Sequence, residues 1–220
     1  MQKISGAPEK TFEKTPAFRR YMILKRILDF ITASVATVFA AIPMGIIALA
    51  VRLDSGGEAF FRQKRIGRDL KPFYCLKFRS MRKDAPSYCA TKELHGADDY
   101  ITRVGRILRK TSLDELPQLF NILKGEMSFI GPRPLIPEET AVHALREQYG
   151  VYNLRPGISG LAQINGRDLV PDEEKAAMDR EYLDKFSLKE DIKIFFGTIR
   201  GVLTKRDIHE GSFEEEYRKG

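Results

Sequence analysis

Residues 30–51 read FITASVATVFAAIPMGIIALAV, and between Asp29 and Arg52 no side chain is charged over 22 residues. As a straight helix this stretch would be roughly 33 Å long at ~1.5 Å per residue. The hydrocarbon core of a bilayer is roughly 30 Å thick, so length alone predicts a spanning helix. Two features point elsewhere. Pro43 lies well inside the stretch, where it removes a helical hydrogen bond and forces a kink. Both flanks are basic: Arg19, Arg20, Lys25 and Arg26 precede it, and Arg52, Arg62, Lys64, Arg65 and Arg68 follow it. The positive-inside tendency places both flanks in the cytoplasm. A re-entrant helix that breaks at Pro43 and returns to the same face satisfies both observations, provided its freed backbone groups are satisfied within the protein or near the headgroups. From these residues three readings stand: a re-entrant helix, a kinked spanning helix and a buried core helix.

Upstream, Phe18 to Phe30 has helical spacing, with Tyr21, Leu24, Ile27 and Leu28 on one side and Arg20, Lys25 and Arg26 around them. Such a basic amphipathic lead-in would lie at the membrane interface. Asp29 is costly in lipid unless it sits at the rim or pairs, and Arg26 is the expected partner. Residues 1–17, with Pro8 and Pro16, read as a loose tail. The apolar run starts too late and is too long for the core of a cleavable signal.

Roughly 170 residues follow the apolar run, enough for one compact domain. A formal net charge of +7 suits an anionic partner. Next to a membrane segment, that favours anionic lipid and phosphorylated ligands over nucleic acid. Cys75 and Cys89 form no CxxC pattern, and His95 alone does not complete a zinc set. They read as free thiols of a reducing compartment.

Downstream, Ala59 to Phe61 and Phe73 to Met81 are predicted as short strands around a turn at Gly67 to Pro72. Tyr74, Leu76 and Phe78 would form one face, and Cys75, Lys77 and Arg79 the other; taken alone this is a solvated strand face. Asp84 to Tyr100 reads as a surface loop, and Thr102 to Lys110 as a short basic helix. In TSLDELPQLFNILKG (residues 111–125) Leu116, Leu119, Phe120 and Leu123 give a helical stripe. Ser112 with Glu115 has the pattern of a capping box, and Gly125 is the expected C-cap. Pro137 to Tyr149 and Asp172 to Phe186 are predicted helices, the latter with Met178, Tyr182, Leu183 and Phe186 inward. The glycine-rich loop from Leu154 to Arg167 separates them. Ser187 caps a last helix with Leu188, Ile192, Phe195, Phe196, Ile199, Val202 and Leu203 on one face and Lys189, Lys193 and Arg200 opposite. That face either packs on the domain, the simpler expectation, or rests on the bilayer.

Asp114 and Glu115 carry the candidate chemistry. Alone, acidic residues in a first helical turn are caps or dipole complements. Their surroundings change that reading. Arg103, Arg106, Arg109 and Lys110 lie upstream, Arg133 stands in a Gly-Pro-Arg-Pro frame, and Arg155 and Arg167 bracket the glycine-rich loop. Arginine forks suit phosphate oxygens, and glycines let backbone N–H groups approach them. Phosphoryl transfer needs spread charge neutralised and a nucleophile positioned. A carboxylate can be that nucleophile, and a second beside it can hold magnesium.

The motifs Lys25-Arg26, Asp29-Phe30, Lys77-Phe78-Arg79-Ser80-Met81, Ser112-Leu113-Asp114-Glu115-Leu116, Gln118-Leu119-Phe120-Asn121, Lys124-Gly125, Met127-Ser128-Phe129, Gly131-Pro132-Arg133-Pro134, Arg155-Pro156-Gly157 and Asn165-Gly166-Arg167 occur in this order. Over about residues 22–205 the chain resembles a monotopic phosphoglycosyl transferase of the bacterial sugar transferase family, in its minimal form. The resemblance implies transfer of a sugar phosphate from a UDP-sugar to a polyprenyl phosphate with release of UMP. It also implies magnesium and a re-entrant helix at the cytoplasmic face of the bacterial inner membrane. It makes Asp114 the nucleophile and associates Glu115 with the metal. The family's basic motif residues fall on Lys77, Arg109, Arg133 and Arg167; Arg79 and Arg155 join them as expected substrate-binding residues. Anionic membrane lipid is an expected partner, nucleic acid is not, and a homodimer is left open. Two departures stand out. Ile42-Pro43 replaces a common Ser-Pro at the helix break, and Leu161 stands where an aromatic is common, which puts a substrate or membrane contact in question.

The expected fold class is α/β: a membrane-associated domain of helices with a small β-hairpin, anchored by an N-terminal Pro-kinked re-entrant membrane helix. The expected divisions are a flexible tail (1–17), an interfacial and re-entrant helix (18–52), a cytoplasmic catalytic domain (53–206) and a charged tail (207–220). Two rivals remain: an enzyme of the same substrates without a covalent step, and a non-catalytic scaffold that binds anionic lipid.

Overall fold

The computed structural model describes residues 12–85, 97–165 and 171–204. Cys89, His95, Arg167 and the charged tail lie outside them. The chain begins with one helix, α1 (Pro16–Ser55), capped by the Thr15 hydroxyl on the Phe18 N–H and closed by Gly56 in the left-handed region. Pro16 is tolerated in the first turn, where its N–H would have no partner. Of the expected tail, Phe12 is already packed, its ring 5.0 Å from that of Phe18.

The apolar side expected for the first turns of α1 faces outward, as an interfacial lead-in requires, and its inward side carries polar residues. Phe18, Lys25, Asp29, Ala33, Met44 and Val51 are its buried residues, whereas Leu24, Ile27 and Leu28 are exposed. With the partly buried Met22, Ala36, Ala40 and Ile47 added, the inward stripe recurs every three or four residues along the helix. Ala33 packs with Phe73, Cys75, Leu119, Ile122 and Met127, and Met44 and Val51 pack with Phe78 and Leu108. The outward face is apolar and uncovered: Val38, Phe39, Ile42, Ile46, Leu49 and Leu53 are each more than 60 % exposed. Asp29 does not pair with Arg26. It accepts from the Phe129 N–H at 3.4 Å, and Arg26 donates to the carbonyls of Ile122 and Leu123 at the end of a later helix. Lys25 instead bonds Asp191, which also accepts from the hydroxyls of Tyr21 and Tyr182. This buried polar knot ties α1 to the C-terminal part of the domain.

The hairpin forms as expected. β1 (Phe60–Ile66) pairs antiparallel with β2 (Pro72–Phe78), with Phe61 opposite Lys77 and Arg65 opposite Phe73. The inward face of β2 differs from the sequence reading. Phe73 and Cys75 are buried, and Tyr74 is exposed. After α2 (Ala97–Tyr100), α3 (Arg103–Thr111) starts at the Thr102 side-chain cap. Asp54 at the end of α1 accepts from the Val104 N–H, which fixes α3 against α1. α4 (Gln118–Lys124) ends on Gly125 at φ +81°, the predicted C-cap. Its buried residues are Gln118, Leu119, Asn121 and Ile122, and Phe120 points outward. Asn121 completes the join, accepting from the Leu76 N–H and donating to the Tyr74 carbonyl.

β3 (Ser128–Ile130) and, beyond α5 (Thr140–Gln148), β4 (Gly157–Ser159) form a two-stranded parallel pair. The loop expected at Leu154 to Arg167 therefore holds a strand and then α6 (Leu161–Ile164). Its glycines serve backbone packing. A Cβ on Gly157 would lie 2.1 Å from the Gly131 nitrogen, and one on Gly131 would lie 2.4 Å from the Arg155 carbonyl oxygen. Leu161 is a core residue beside Phe18, Ile130 and Tyr182, so the missing aromatic alters packing and not a surface contact. α7 (Asp172–Asp184) buries Tyr182 and Leu183, as its spacing predicts. α8 (Leu188–Thr204) buries Glu190, Asp191 and Ile194, leaving Leu188, Ile192, Phe195, Phe196 and Ile199 uncovered. The expectation that this apolar face packs on the domain does not hold.

Candidate active site

The acidic pair sits on a single 3₁₀ turn, Leu113–Glu115, between α3 and α4. Ser112 ends α3 with φ +57°, a left-handed conformation uncommon for a residue with a side chain. The sharp reversal restarts the chain inward, so Asp114 is buried. Ser112 makes no side-chain cap, and the capping box read from the sequence is not formed. α4 begins only at Gln118, so the helix-dipole argument for the pair also falls away. Cations take its place.

Those cations come from β2 and from the frame after β3. Lys77 Nζ lies 2.8 Å from Glu115 Oε1 and 3.9 Å from Asp114 Oδ2, bridging the pair. Burial pushes the Lys77 ammonium down in pKa, but the Glu115 and Asp114 carboxylates outweigh that and leave it above its ordinary value. Lys77, Glu115, Gln118 and Arg133 line one cleft with Phe61, Gln63, Arg65 and Cys75. The cleft opens to solvent. Burial pushes the Arg65 guanidinium down, and the positive charge of Arg133 pushes it the same way; both arginines line the cleft. Burial likewise pushes the Cys75 thiol up, which keeps it protonated at neutral pH.

The Gly131-Pro132-Arg133-Pro134 frame is held by its carbonyls. Pro132 O accepts from the Gly157 N–H at 2.9 Å, Arg133 O from Arg146 Nη1 at 2.7 Å and Pro134 O from Arg65 Nη1 at 2.9 Å. A carbonyl fixed on each of three successive residues, two of them prolines, leaves Arg133 little backbone freedom.

Of the expected site residues, the structure gathers Asp114, Glu115, Lys77 and Arg133. Arg109 lies on α3 with its Nε donating to Ser80 Oγ at 2.9 Å. Arg79 donates to the Glu58 carbonyl, away from the cleft lining. Arg155 donates to the Gly125 carbonyl and lines a separate small pocket with Lys25, Asp29 and Ser128. Pro43 is far along the chain from the pair, and α1 continues through it as one helix to Ser55, so the expected break there is not seen. Arg65, Gln63 and Gln118 were not singled out. Gln63 and Arg65 were readable in principle, since strand alternation puts Phe61, Gln63 and Arg65 on the face that Lys77 shares across the hairpin. Gln118 stands in the Gln118-Leu119-Phe120-Asn121 motif, but no charge or spacing marks it as a site residue.

The model of the family described as bacterial sugar transferase matches residues 20–205. An undecaprenyl-phosphate glucose phosphotransferase of Komagataeibacter xylinus is 40% identical over 206 residues, covering 89% of this chain and 38% of that protein. A UDP-glucose:undecaprenyl-phosphate glucose-1-phosphate transferase of Caulobacter vibrioides is 40% identical over 189 residues, covering 82% of this chain and 70% of its own. The exopolysaccharide production protein ExoY of Rhizobium meliloti is 38% identical over 199 residues, with 83% and 86% covered. The chain thus spans well under half of one of these relatives and most of the other two. With the family model matching residues 20–205, around an acidic pair bridged by lysine, the chain belongs to the bacterial sugar transferase family.

Proposed function

We propose that the protein transfers a sugar 1-phosphate from a UDP-sugar to a polyprenyl phosphate, releasing UMP, through a covalent intermediate on Asp114. The observation that carries this reading is that Lys77 and Glu115 line a cleft with Arg65 and Arg133, and that Lys77 also reaches the buried Asp114 at 3.9 Å just behind that lining. The cations would neutralise the diphosphate, and a carboxylate beside them would be in reach of phosphorus. An Asp114 oxygen attacks the phosphorus that bears the sugar, and the P–O bond to UMP breaks. The polyprenyl phosphate oxygen then attacks the aspartyl phosphate, freeing the carboxylate and giving the polyprenyl diphosphate sugar. The relatives' names make UDP-glucose the first donor to test and undecaprenyl phosphate the first acceptor.

Magnesium fits the pair. Among the described residues no group of three or more His, Cys, Asp or Glu could hold a metal. Mg²⁺ bound to nucleotides commonly takes one or two carboxylates plus phosphate oxygens and water. Glu115 would hold it together with the substrate diphosphate, and the ion would draw charge off the phosphate oxygens. Asp114 would turn its carboxylate toward phosphorus, with Lys77 bridging the two acids.

Membrane association follows from the uncovered apolar faces. α1 is long and apolar enough to cross a bilayer. A re-entrant course at the cytoplasmic face is supported by packing: Ala33 and Val51, near the two ends of the uncharged stretch, both pack on the same domain. A spanning course would pull one of them away. α8 adds a second lipid-facing surface. Sustained UMP release from UDP-glucose should need the protein, magnesium and undecaprenyl phosphate together, with at most one UMP per protein when the lipid acceptor is left out. Release from no member of a UDP-sugar panel would leave the scaffold reading, and release without any phosphosugar adduct would leave the enzyme without a covalent step.

A further inference from the structure

We infer that Arg146 on α5, anchored by Asp179 on α7, is a positioning residue that aims Arg133 into the cleft. It rests on the phosphate-binding role given to Arg133 above. Arg146 and Asp179 are an ion pair at 2.5 Å, with side chains only 4% and 1% exposed. A buried ion pair gives little net stability, because desolvation offsets the attraction. This one has a second connection. Its Nη2 holds Asp179, and its Nη1 donates to the Arg133 carbonyl at 2.7 Å. Arg146 touches the site only through that peptide group and does not line the cleft.

The geometry explains why the pair is an arginine and an aspartate. A planar guanidinium offers two rigid, diverging donors, whereas an ammonium is a point charge on a flexible stem. Asp179 fixes one donor, so the other has one direction left. The clamp acts between Gly157 on Pro132 and Arg65 on Pro134, at the residue whose side chain lines the cleft. Loss of the middle grip would let the Arg133 peptide swing and its guanidinium drift from the place where phosphate must bind. The packing of α5 on α7 is in this way coupled to the charge that faces the substrate.

A double-mutant cycle tests this, read by UDP-glucose binding and by UMP release from the full chain in detergent, with unfolding midpoints as a check. Arg146→Lys keeps the charge for Asp179 and loses the directed grip. It should raise KM for the UDP-sugar and weaken UDP binding by roughly tenfold, yet add less than about twofold once Arg133 is already lysine. Equal losses in both backgrounds would overturn the inference. If Arg146→Lys fails to fold, Asp179→Asn, near-isosteric and loosening the same anchor, takes its place in the cycle with the same criteria. Wild-type protein that binds no UDP-sugar would instead overturn the proposed function and this inference with it, an outcome distinct from additive losses in an active enzyme.

Discussion

Lys77 on β2 and Glu115 on the 3₁₀ turn are joined by a 2.8 Å hydrogen bond across 38 positions of sequence. The hairpin is thereby locked to the acidic pair, and the lysine is shared, since Asp114 lies within ion-pair distance of the same nitrogen. Lys77→Met should lower kcat/KM by at least about a hundredfold, the scale on which loss of one preorganised charge contact acts. The pH dependence of stability follows from the raised pKa of Lys77. A cation raised on folding contributes fully below its unfolded value and loses that contribution as pH rises through its folded one. The unfolding difference between wild type and Lys77→Met should therefore hold steady through neutral pH and shrink only above about 10.4, the ordinary lysine value. Measured in detergent from pH 7 upward, a difference that fades below about pH 9 would contradict the raised pKa.

The division of labour within the pair gives a second expectation. Neighbours on a 3₁₀ turn point about 120° apart, so one carboxylate can face phosphorus while the other faces metal and lysine. Asp114→Asn keeps the shape and removes the nucleophile. Intact-protein mass spectrometry after UDP-sugar without lipid acceptor should show a phosphosugar adduct on wild type and none on Asp114→Asn. Glu115→Gln should label slowly and need more magnesium. An adduct that survives in Asp114→Asn, or maps elsewhere, would reassign the nucleophile.

Much of this site was legible because its residue types are chemically unusual where they stand. Two adjacent acids among arginines, and an arginine between two prolines, stood out before any coordinates. What sequence could not give was partnership. Lys77 reads as one charge on a half-polar strand until the 3₁₀ turn is brought against it. Arg155 reads as a phosphate ligand from its neighbours Pro156 and Gly157, yet its Nε is given to the Gly125 carbonyl. The helical period found α8, but its exposed side could not be told from a packed one, because apolar stripes against protein and against lipid look alike. In α1 the same period marks the apolar side but not the partners of the polar residues. Lys25 and Asp29 take the inward side because Asp191 and the Phe129 N–H wait there, and those partners are distant in sequence.

The uncovered face of α8 carries a third expectation. At about 100° per residue, Leu188, Ile192, Phe195, Phe196 and Ile199 fall in one sector and Lys189, Lys193 and Arg200 along its edge. An apolar stripe edged by cations suits the headgroup region of an anionic bilayer. Phe195→Ser with Phe196→Ser should reduce sedimentation of the protein with phosphatidylglycerol vesicles and leave its unfolding midpoint within a few degrees, since both rings are already more than half exposed. A large loss of stability with unchanged vesicle binding would mean that this face is covered by protein.

The course of α1 can be decided by its ends. A 40-residue helix would be roughly 60 Å long if straight, about twice the thickness of a hydrocarbon core. Its inward stripe nevertheless contacts the domain from Phe18 to Val51. A helix crossing the bilayer would strip Ala33 from Phe73 and Leu119, or Val51 from Phe78, exposing core surface on both. A helix that dips in and returns at Pro43 can keep contacts at both ends. Single cysteines at Arg20 and at Gly57, in a background lacking Cys75 and Cys89, should both be shielded from an impermeant reagent added outside intact cells and both react once the membrane is opened. Cys75 is buried in the core beside Ala33, so its replacement should be Ala or Val, and the background needs an activity check first. Labelling from outside at one position and not the other would establish a spanning helix. Pro43→Ala then separates geometry from composition. If the proline sets the turn, its removal should favour a straight helix and expose one of the two cysteines to the outside, while hydropathy barely changes.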